Sequence, residues 1–276
     1  MRIDAHQHYW RYDPIAYAWI DDTMRILQRD FLPDDVAPHM APLGFERTVA
    51  IQASQTHAET AWLLDLAGRD RRVAGVVGWV DLQADDVARQ VAEVAQHPHL
   101  VGLRHIVQSE PDDFMARPAF RRGIAALQAH DLPYDILIYE RQMPAAIGLV
   151  EAFPHQKFAL DHVGKPDIRS GRIDSWRGRL RTLARFPNVW CKLSGLVTEA
   201  DWHAWTPATI EPYIEVACEA FGPDRLMIGS DWPVCTLAGS YGQTMKLVID
   251  AIATWSKPEQ DAVLGGTAAR FWGLTD

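Results

Sequence analysis

Thr48-Val49-Ala50-Ile51-Gln52, then residues 59–69, then residues 73–80, is the stretch whose reading decides the fold. The first piece is β-branched and apolar. The second carries Ala61, Leu63, Leu64, Leu66 and Ala67 at helical spacing, and the third is again a short apolar run. Apolar run, amphipathic helix, apolar run is the pattern of a β-α-β unit. Outward from it the alternation repeats. Helices are expected at 85–96, 118–130, 143–152, 176–184, 211–221, 242–255 and 257–271. Strands are expected at 100–106, 134–139, 158–163, 189–193 and 226–230. With residues 2–8 at the start, that makes eight strands, most followed by a helix. Several are continuously apolar, as in a parallel sheet covered on both faces. Eight such units in roughly 250 residues match a closed (β/α)8 TIM barrel, an α/β fold. An open doubly wound sheet is the alternative. No glycine-rich phosphate fingerprint follows the first strand, which disfavours a nucleotide-binding version of it. No linker or composition shift divides the chain, so residues 1–276 are expected to form a single domain.

The totals narrow the function. The 276 residues are 48% hydrophobic and 23% charged, ordinary for a globular protein. A formal net charge of −9 and the lack of a basic stripe argue against a nucleic-acid partner. The three cysteines, Cys191, Cys218 and Cys235, are far apart and show neither zinc-knuckle nor disulfide spacing. The first residues run into a strand with no basic-then-apolar segment, and no apolar run approaches the ~20 residues that cross a bilayer. A cytoplasmic location without membrane contact is therefore expected. Oligomeric state is not legible. Eleven tryptophans are many. Large rings with a polar handle suit cores and pockets for amphipathic ligands.

Barrel enzymes place their chemistry at the C-terminal ends of the strands, and polar residues gather there. The first strand, Arg2-Ile3-Asp4-Ala5-His6-Gln7-His8, alternates so that Asp4, His6 and His8 are expected on one face. Gln52, Arg104 and His105, Tyr139 and Glu140, Asp161, His162 and Lys165, Lys192 and Ser194, and Asp231 with Trp232 mark the ends of later strands. Between the first two strands, residues 9–44 hold Trp10, Tyr12, Tyr17 and Trp19. A connection that long is usually functional, and it reads as an aromatic loop over a pocket followed by a short helix at 34–40. His97, His99, His130, His155 and His203 read as surface histidines.

This set supports two chemistries. His6, His8, a later histidine and Asp231 could bind one divalent ion, zinc being the best match to imidazole and carboxylate. Such an ion lowers the pKa of water from about 15.7 to about 7. Without metal, Asp231 could take a proton from water and return it to a leaving oxygen. Arg104, Lys165 or His162 could stabilise developing charge, one such donor being worth ~2.7–4 kcal/mol.

Asp4-Ala5-His6-Gln7-His8, Leu160-Asp161-His162-Val163-Gly164-Lys165-Pro166 and Ile228-Gly229-Ser230-Asp231-Trp232-Pro233, in that order, resemble the amidohydrolase superfamily. More narrowly they resemble its sugar-lactonase-like group, whose members act on L-fucono- and L-rhamnono-lactones and on pyrone dicarboxylates. Trp10, Gly102-Leu103-Arg104-His105 and the closing Gly265-Gly266-Thr267-Ala268-Ala269-Arg270-Phe271 are similar to that group as well. The resemblance implies a (β/α)8 barrel and hydrolysis of a small-molecule sugar lactone, L-fuconolactone or a related aldonolactone, to the open-chain acid. It implies Asp231 as the catalytic aspartate, with His6, His8 and His162 lining the site. No bridging lysine stands on the fourth strand and no histidine ends the fifth, so a two-metal site is not expected. At most one zinc, held by His6, His8 and Asp231, is expected, and activity need not depend on it. Arg104, Lys165 and His162 complete the catalytic set, and Trp10, Gln52, His105, Tyr139 and Trp232 are expected to contact substrate. The alternatives are a metal-dependent decarboxylase of an unsaturated or aromatic acid, and a barrel that binds a metabolite without turning it over.

Overall fold

The β-α alternation closes on itself. The computed structural model describes residues 1–274. Its strands are β1 (Ile3–Gln7), β2 (Arg47–Ile51), β3 (Val73–Gly78), β4 (Leu100–His105), β5 (Tyr134–Ile136), β6 (Phe158–Leu160), β7 (Val189–Leu193) and β8 (Leu226–Ile228). They pair in chain order, every pair parallel. Around them run α1 (Pro33–Met40), α2 (His57–Arg69), α3 (Val87–Val94), α4 (Pro118–Gln128), α5 (Met143–Ala152), α6 (Asp174–Ala184), α7 (Pro207–Phe221) and α8 (Tyr241–Ala251). This is the expected single-domain TIM barrel. None of the described helices is long and apolar enough to cross a membrane.

β5, β6 and β8 hold three residues each, two or three fewer than the sequence reading gives them. After Leu160 the residues His162, Val163, Gly164 and Lys165 all take positive φ, and so does Asp231 beyond β8. A left-handed backbone cannot continue a ladder, so β6 and β8 stop early and their last motif residues become a turn. The expected helix 257–271 is also broken, into α9 (Lys257–Asp261), a π-type turn (Ala262–Gly266) and α10 (Thr267–Trp272). Gly265 explains the break. A Cβ there would stand 2.6 Å from the Met1 carbonyl oxygen and 2.8 Å from the Ile3 nitrogen. The turn carries the chain under the start of β1.

The seam between β8 and β1 rests on few contacts. Asp231 N donates to His6 O and His8 N to Trp232 O, both at 2.8 Å. The Asp4 carboxylate supplies the rest, accepting from Ser230 N at 2.9 Å and Ser230 Oγ at 2.6 Å. Asp4 is thus a structural closure and does not share a face with His6 and His8 as alternation predicts. The register against β2 steps from Asp4↔Thr48 to Gln7↔Ala50, three steps along β1 for two along β2. That extra residue is a bulge, and it re-aims the side chains beyond it. Ala5 then packs with Ile3 and Val49, while His6 turns to Asp161 and Lys192.

The barrel interior is layered. Its floor is apolar, with Ile3, Ala5, Val49, Ile51, Val77, Ala159 and Met227 packed on Ala268, Phe271 and Trp272 of α10. Above it Arg104, Asp135, Asp161, Lys192 and His6 are all buried. Over the open end folds the 9–44 segment. Trp10 packs on Tyr17, Trp19 and Phe31, and Phe31 on Trp232, with ring centroids 5.1–5.9 Å apart. Glu59 of α2 fastens this segment to the barrel. It accepts from Tyr17 Oη and from the Ala53 and Ser54 amides.

Burial pushes Asp4 up to about 6 in spite of the hydrogen bonds it accepts from Ser230 and His6. Its folded value lies above the unfolded one, so the stability it contributes is full at low pH and is lost as pH rises through 6. Asp4→Asn should therefore flatten the fall in unfolding free energy between pH 4 and pH 7, followed by urea denaturation, by a ceiling of roughly 3 kcal/mol.

Candidate active site

The site assembles where strand ends meet at the mouth. His6 Nε2 and His8 Nε2 stand 3.3 Å apart. Asp231 Oδ1 lies 3.2 Å from His8 Nε2, 3.8 Å from His6 Nε2 and 3.9 Å from His162 Nε2. The other ring nitrogens decide what these atoms can do. His8 Nδ1 is 2.8 Å from the Ile51 carbonyl, which only accepts, so the network assigns the proton to Nδ1 and leaves Nε2 bare. His6 Nδ1 faces Asp161 Oδ1 at 3.4 Å, which assigns its proton the same way. His162 Nδ1 meets Ser194 Oγ at 2.9 Å.

Two imidazole nitrogens and a carboxylate oxygen converge here, with Arg104 Nη1 3.4 Å from His6 Nε2, and a cation among them would be attracted by all three. The ligand atoms of a tetrahedral zinc, with bonds of about 2.0–2.1 Å, lie roughly 3.3 Å apart. The spacings in the His6, His8 and Asp231 trio run from 3.2 to 3.8 Å. All three residues are buried and their ligand atoms converge. The donor set fits one divalent ion without rearrangement. His6, Asp161 and His162 form a second convergent group through the same His6.

Charge in the site is held by neighbours. Burial works against the Asp231 anion, yet His162, His8 and Lys165 keep it below the ordinary carboxylate range. Burial drives His6 and His162 well below the usual histidine value, so both are neutral at pH 7. Burial also opposes the Lys165 charge, but Glu199, with Oε1 at 3.1 Å, Tyr139 and Asp231 raise it overall. The site thus offers an anionic base, neutral imidazoles and one ammonium.

In front of these groups opens a cavity of about 340 Å3. His8, His162, Asp231, Arg104, Lys165 and Tyr139 line it, together with Trp19, Glu199 and Trp202. His6 sits directly behind. Four residues expected to meet substrate do not line it. Alternation turns Arg104 into the barrel and so sends His105 outward, where it stacks on Phe114 at 4.7 Å and meets Glu110 at 3.0 Å. Gln52 grips Arg104, accepting from Nε at 2.9 Å through its side chain and from Nη2 through its backbone carbonyl. Trp10 is buried under the aromatic loop, its Nε1 bonded to Arg29 O. Trp232 is buried against Phe31.

A family model described as amidohydrolase matches residues 3–274. The chain belongs to the amidohydrolase family. It is 45% identical to an L-fucono-1,5-lactonase of Burkholderia multivorans over an alignment covering all of this chain and 97% of that enzyme. It is 40% identical to an L-fucono-1,5-lactonase of Burkholderia ambifaria, with 99% of this chain and 92% of that one covered. Its fold superposes with a TM-score of 0.96 on a crystal structure of a Burkholderia multivorans amidohydrolase with bound zinc, at 44% identity and full coverage of both chains.

Among the cavity residues of this amidohydrolase that sequence reasoning missed are Glu199 and Trp202. They sit in the β7–α7 connection, residues 194–206, which carries no motif. Its length, beyond the usual six or so residues, was the available signal. Trp19 was visible only as one of several aromatics in the long loop. The motif residues themselves are held in strain. Among the described residues five other than glycine have positive φ; His162, Lys165 and Asp231 lie in the site and Val163 in the turn between the first two, and such strain persists only where surroundings enforce it. In a left-handed turn residues three apart share a side, which lets His162 and Lys165 both reach the cavity. Trp176 Nε1 pins the turn by donating to Val163 O at 2.8 Å. Gly195, with φ of +63°, leaves the space that His162 fills. A Cβ there would stand 2.4 Å from His162 Nδ1. Gly195→Ala should displace the imidazole and lower kcat about 100-fold, while circular dichroism at 20 °C stays native.

Proposed function

We propose that Asp231 is the general base of a sugar-lactone hydrolase whose substrate is L-fucono-1,5-lactone or a closely related aldonolactone. Hydrolysis of a sugar lactone is the activity carried by the relatives that match this chain end to end. The observation that carries the residue assignment is the Asp231 carboxylate, anionic, buried and within 3.2–3.9 Å of three imidazole nitrogens at the cavity floor.

In this reading a neutral lactone enters between the aromatic rings of Trp19, Tyr139 and Trp202, whose faces suit the apolar side of a sugar ring. Lys165 and Glu199 offer a donor and acceptors for hydroxyls or for the carbonyl. Asp231 takes a proton as water attacks the lactone carbonyl carbon. The ring carbon–oxygen bond then breaks, and the same carboxyl returns the proton to the ring oxygen. Water adds across the ester and an open-chain aldonate leaves. Lys165 and His162 are the donors nearest the developing negative charge. Arg104 acts from behind, since its guanidinium is already committed to Gln52 and Asp161. His6, His8 and Asp231 would hold a divalent ion, which supplies Lewis acidity toward water or carbonyl oxygen. All three cysteines are free, which supports a reducing compartment such as the cytoplasm.

Proton release from a panel of sugar lactones tests the reading. Asp231→Asn should lose about 10²–10⁴-fold in kcat/KM on L-fucono-1,5-lactone and melt within a few degrees of the wild type. Full activity in that variant would remove Asp231 from the role. Zinc titrated into chelated protein should saturate at one ion per chain, and His8→Ala should abolish that saturation without unfolding the barrel.

A further inference from the structure

Beneath the mouth lies a layer of ions sealed from water. Lys192 (β7), Asp135 (β5) and Asp161 (after β6) are each fully buried. Lys192 Nζ donates to Asp135 Oδ2 at 2.5 Å and stands 2.9 Å from Asp161 Oδ1 and 3.4 Å from His6 Nδ1. Arg104 Nη1 donates to Asp161 Oδ2 at 3.0 Å. Two cations face two carboxylates. Barrel interiors are ordinarily filled by branched apolar side chains, and a well-packed apolar layer is often as stable as a buried ion cluster. Stability alone does not call for these groups.

What the layer contacts is His6. Asp161 Oδ1 has the Lys192 ammonium at 2.9 Å but no well-aligned hydrogen bond, and His6 Nδ1, 3.4 Å away, is the other donor within reach of it. The opposite tautomer is disfavoured. A proton on Nε2 could reach only His8 Nε2, at 3.3 Å; it would face Arg104 Nη1, itself a donor, at 3.4 Å and would leave Asp161 without the imidazole donor. Lys192 has its two short contacts with carboxylates and leaves Nδ1 to Asp161.

We infer that Lys192 is a positioning residue: braced by Asp135, it holds the Asp161 carboxylate against His6 Nδ1, so that His6 presents a bare Nε2 to a divalent cation at the mouth. Lys192 touches neither the cation nor the substrate. The inference rests on the assignment of His6 to the metal-holding trio. Carboxylates that orient a ligating imidazole matter for affinity, and disturbing them typically costs about 10–100-fold.

The test is the double variant Lys192→Met/Asp135→Leu, which removes one charge of each sign at similar volume. Lys192→Met alone would strand a buried carboxylate. Zinc binding is measured by competition with a chromophoric chelator, and the His6 tautomer by nitrogen-15 NMR of histidine-labelled, metal-free protein. The expected result is a folded barrel that binds zinc about 10–100-fold more weakly, with the His6 proton no longer confined to Nδ1. A folded double variant with wild-type zinc affinity and an unchanged His6 spectrum would overturn the inference. The wild-type spectrum tests it independently of any variant: a metal-free His6 protonated on Nε2 overturns it too. Neither readout uses a lactone. Failure here leaves the hydrolase reading standing, and a lactone panel without turnover leaves this inference standing.

Discussion

The structure depends on one closure. The Asp4 carboxylate accepts the Ser230 amide and hydroxyl across 226 residues of chain and seals β8 against β1. The distances among His6, His8 and Asp231 follow from that seam. His6 and His8 come from the first strand and Asp231 from the last, and they meet only because the sheet has no edge. The geometry is economical. The same short segment that closes the barrel also carries the base, and Asp231 N itself bonds to His6 O. Closure and site formation therefore share one geometric requirement, and an open sheet of the same strands would not bring these three residues together.

The layering above the floor gives the site its electrostatic character. Apolar side chains from α10 shut the bottom, so charges above them are screened only by one another. Of the balanced pairs Arg104, Lys192, Asp135 and Asp161, only Arg104 reaches the cavity; the other three are fully buried. The histidines above them are kept neutral by burial, and Asp231 is kept anionic by what surrounds it. Neutral imidazoles beside a carboxylate bind cations and accept protons, whereas imidazolium rings there would do neither. The aromatic loop, fastened through Glu59 and Tyr17, limits access of bulk water from above.

Much of this was legible in the chain. The alternation of apolar runs with amphipathic helices gave the barrel. The three motifs gave His6, His8, His162, Lys165 and Asp231, all found at or directly behind one cavity. Where the reading and the structure part, contacts between distant residues decided. Asp4 was placed with His6 by strict alternation, and a bulge reversed the parity. His105 was grouped with Arg104 by proximity, and the pleat sent the two apart. Trp10, Gln52 and Trp232 were read as contacts with substrate, yet each supports a neighbour that lies closer to the cavity or the site. Glu199 and Trp202 were missed because a loop residue gains its role from where a rigid scaffold delivers it.

The sequence by itself determined the eight-unit barrel, the face of the barrel that does chemistry and the residue types available there, because hydrophobic period and strand-end position are local properties of the chain. Tertiary structure alone decided which of those polar residues converge. Left-handed turns at His162 to Lys165 and at Asp231, the bulge in β1 and the packing of Gly195 under His162 fix the directions of these side chains. They depend on contacts between residues far apart in the chain. Whether a carboxylate braces a strand seam, as Asp4 does, or faces a cavity, as Asp231 does, is settled by those contacts and not by its neighbours in sequence.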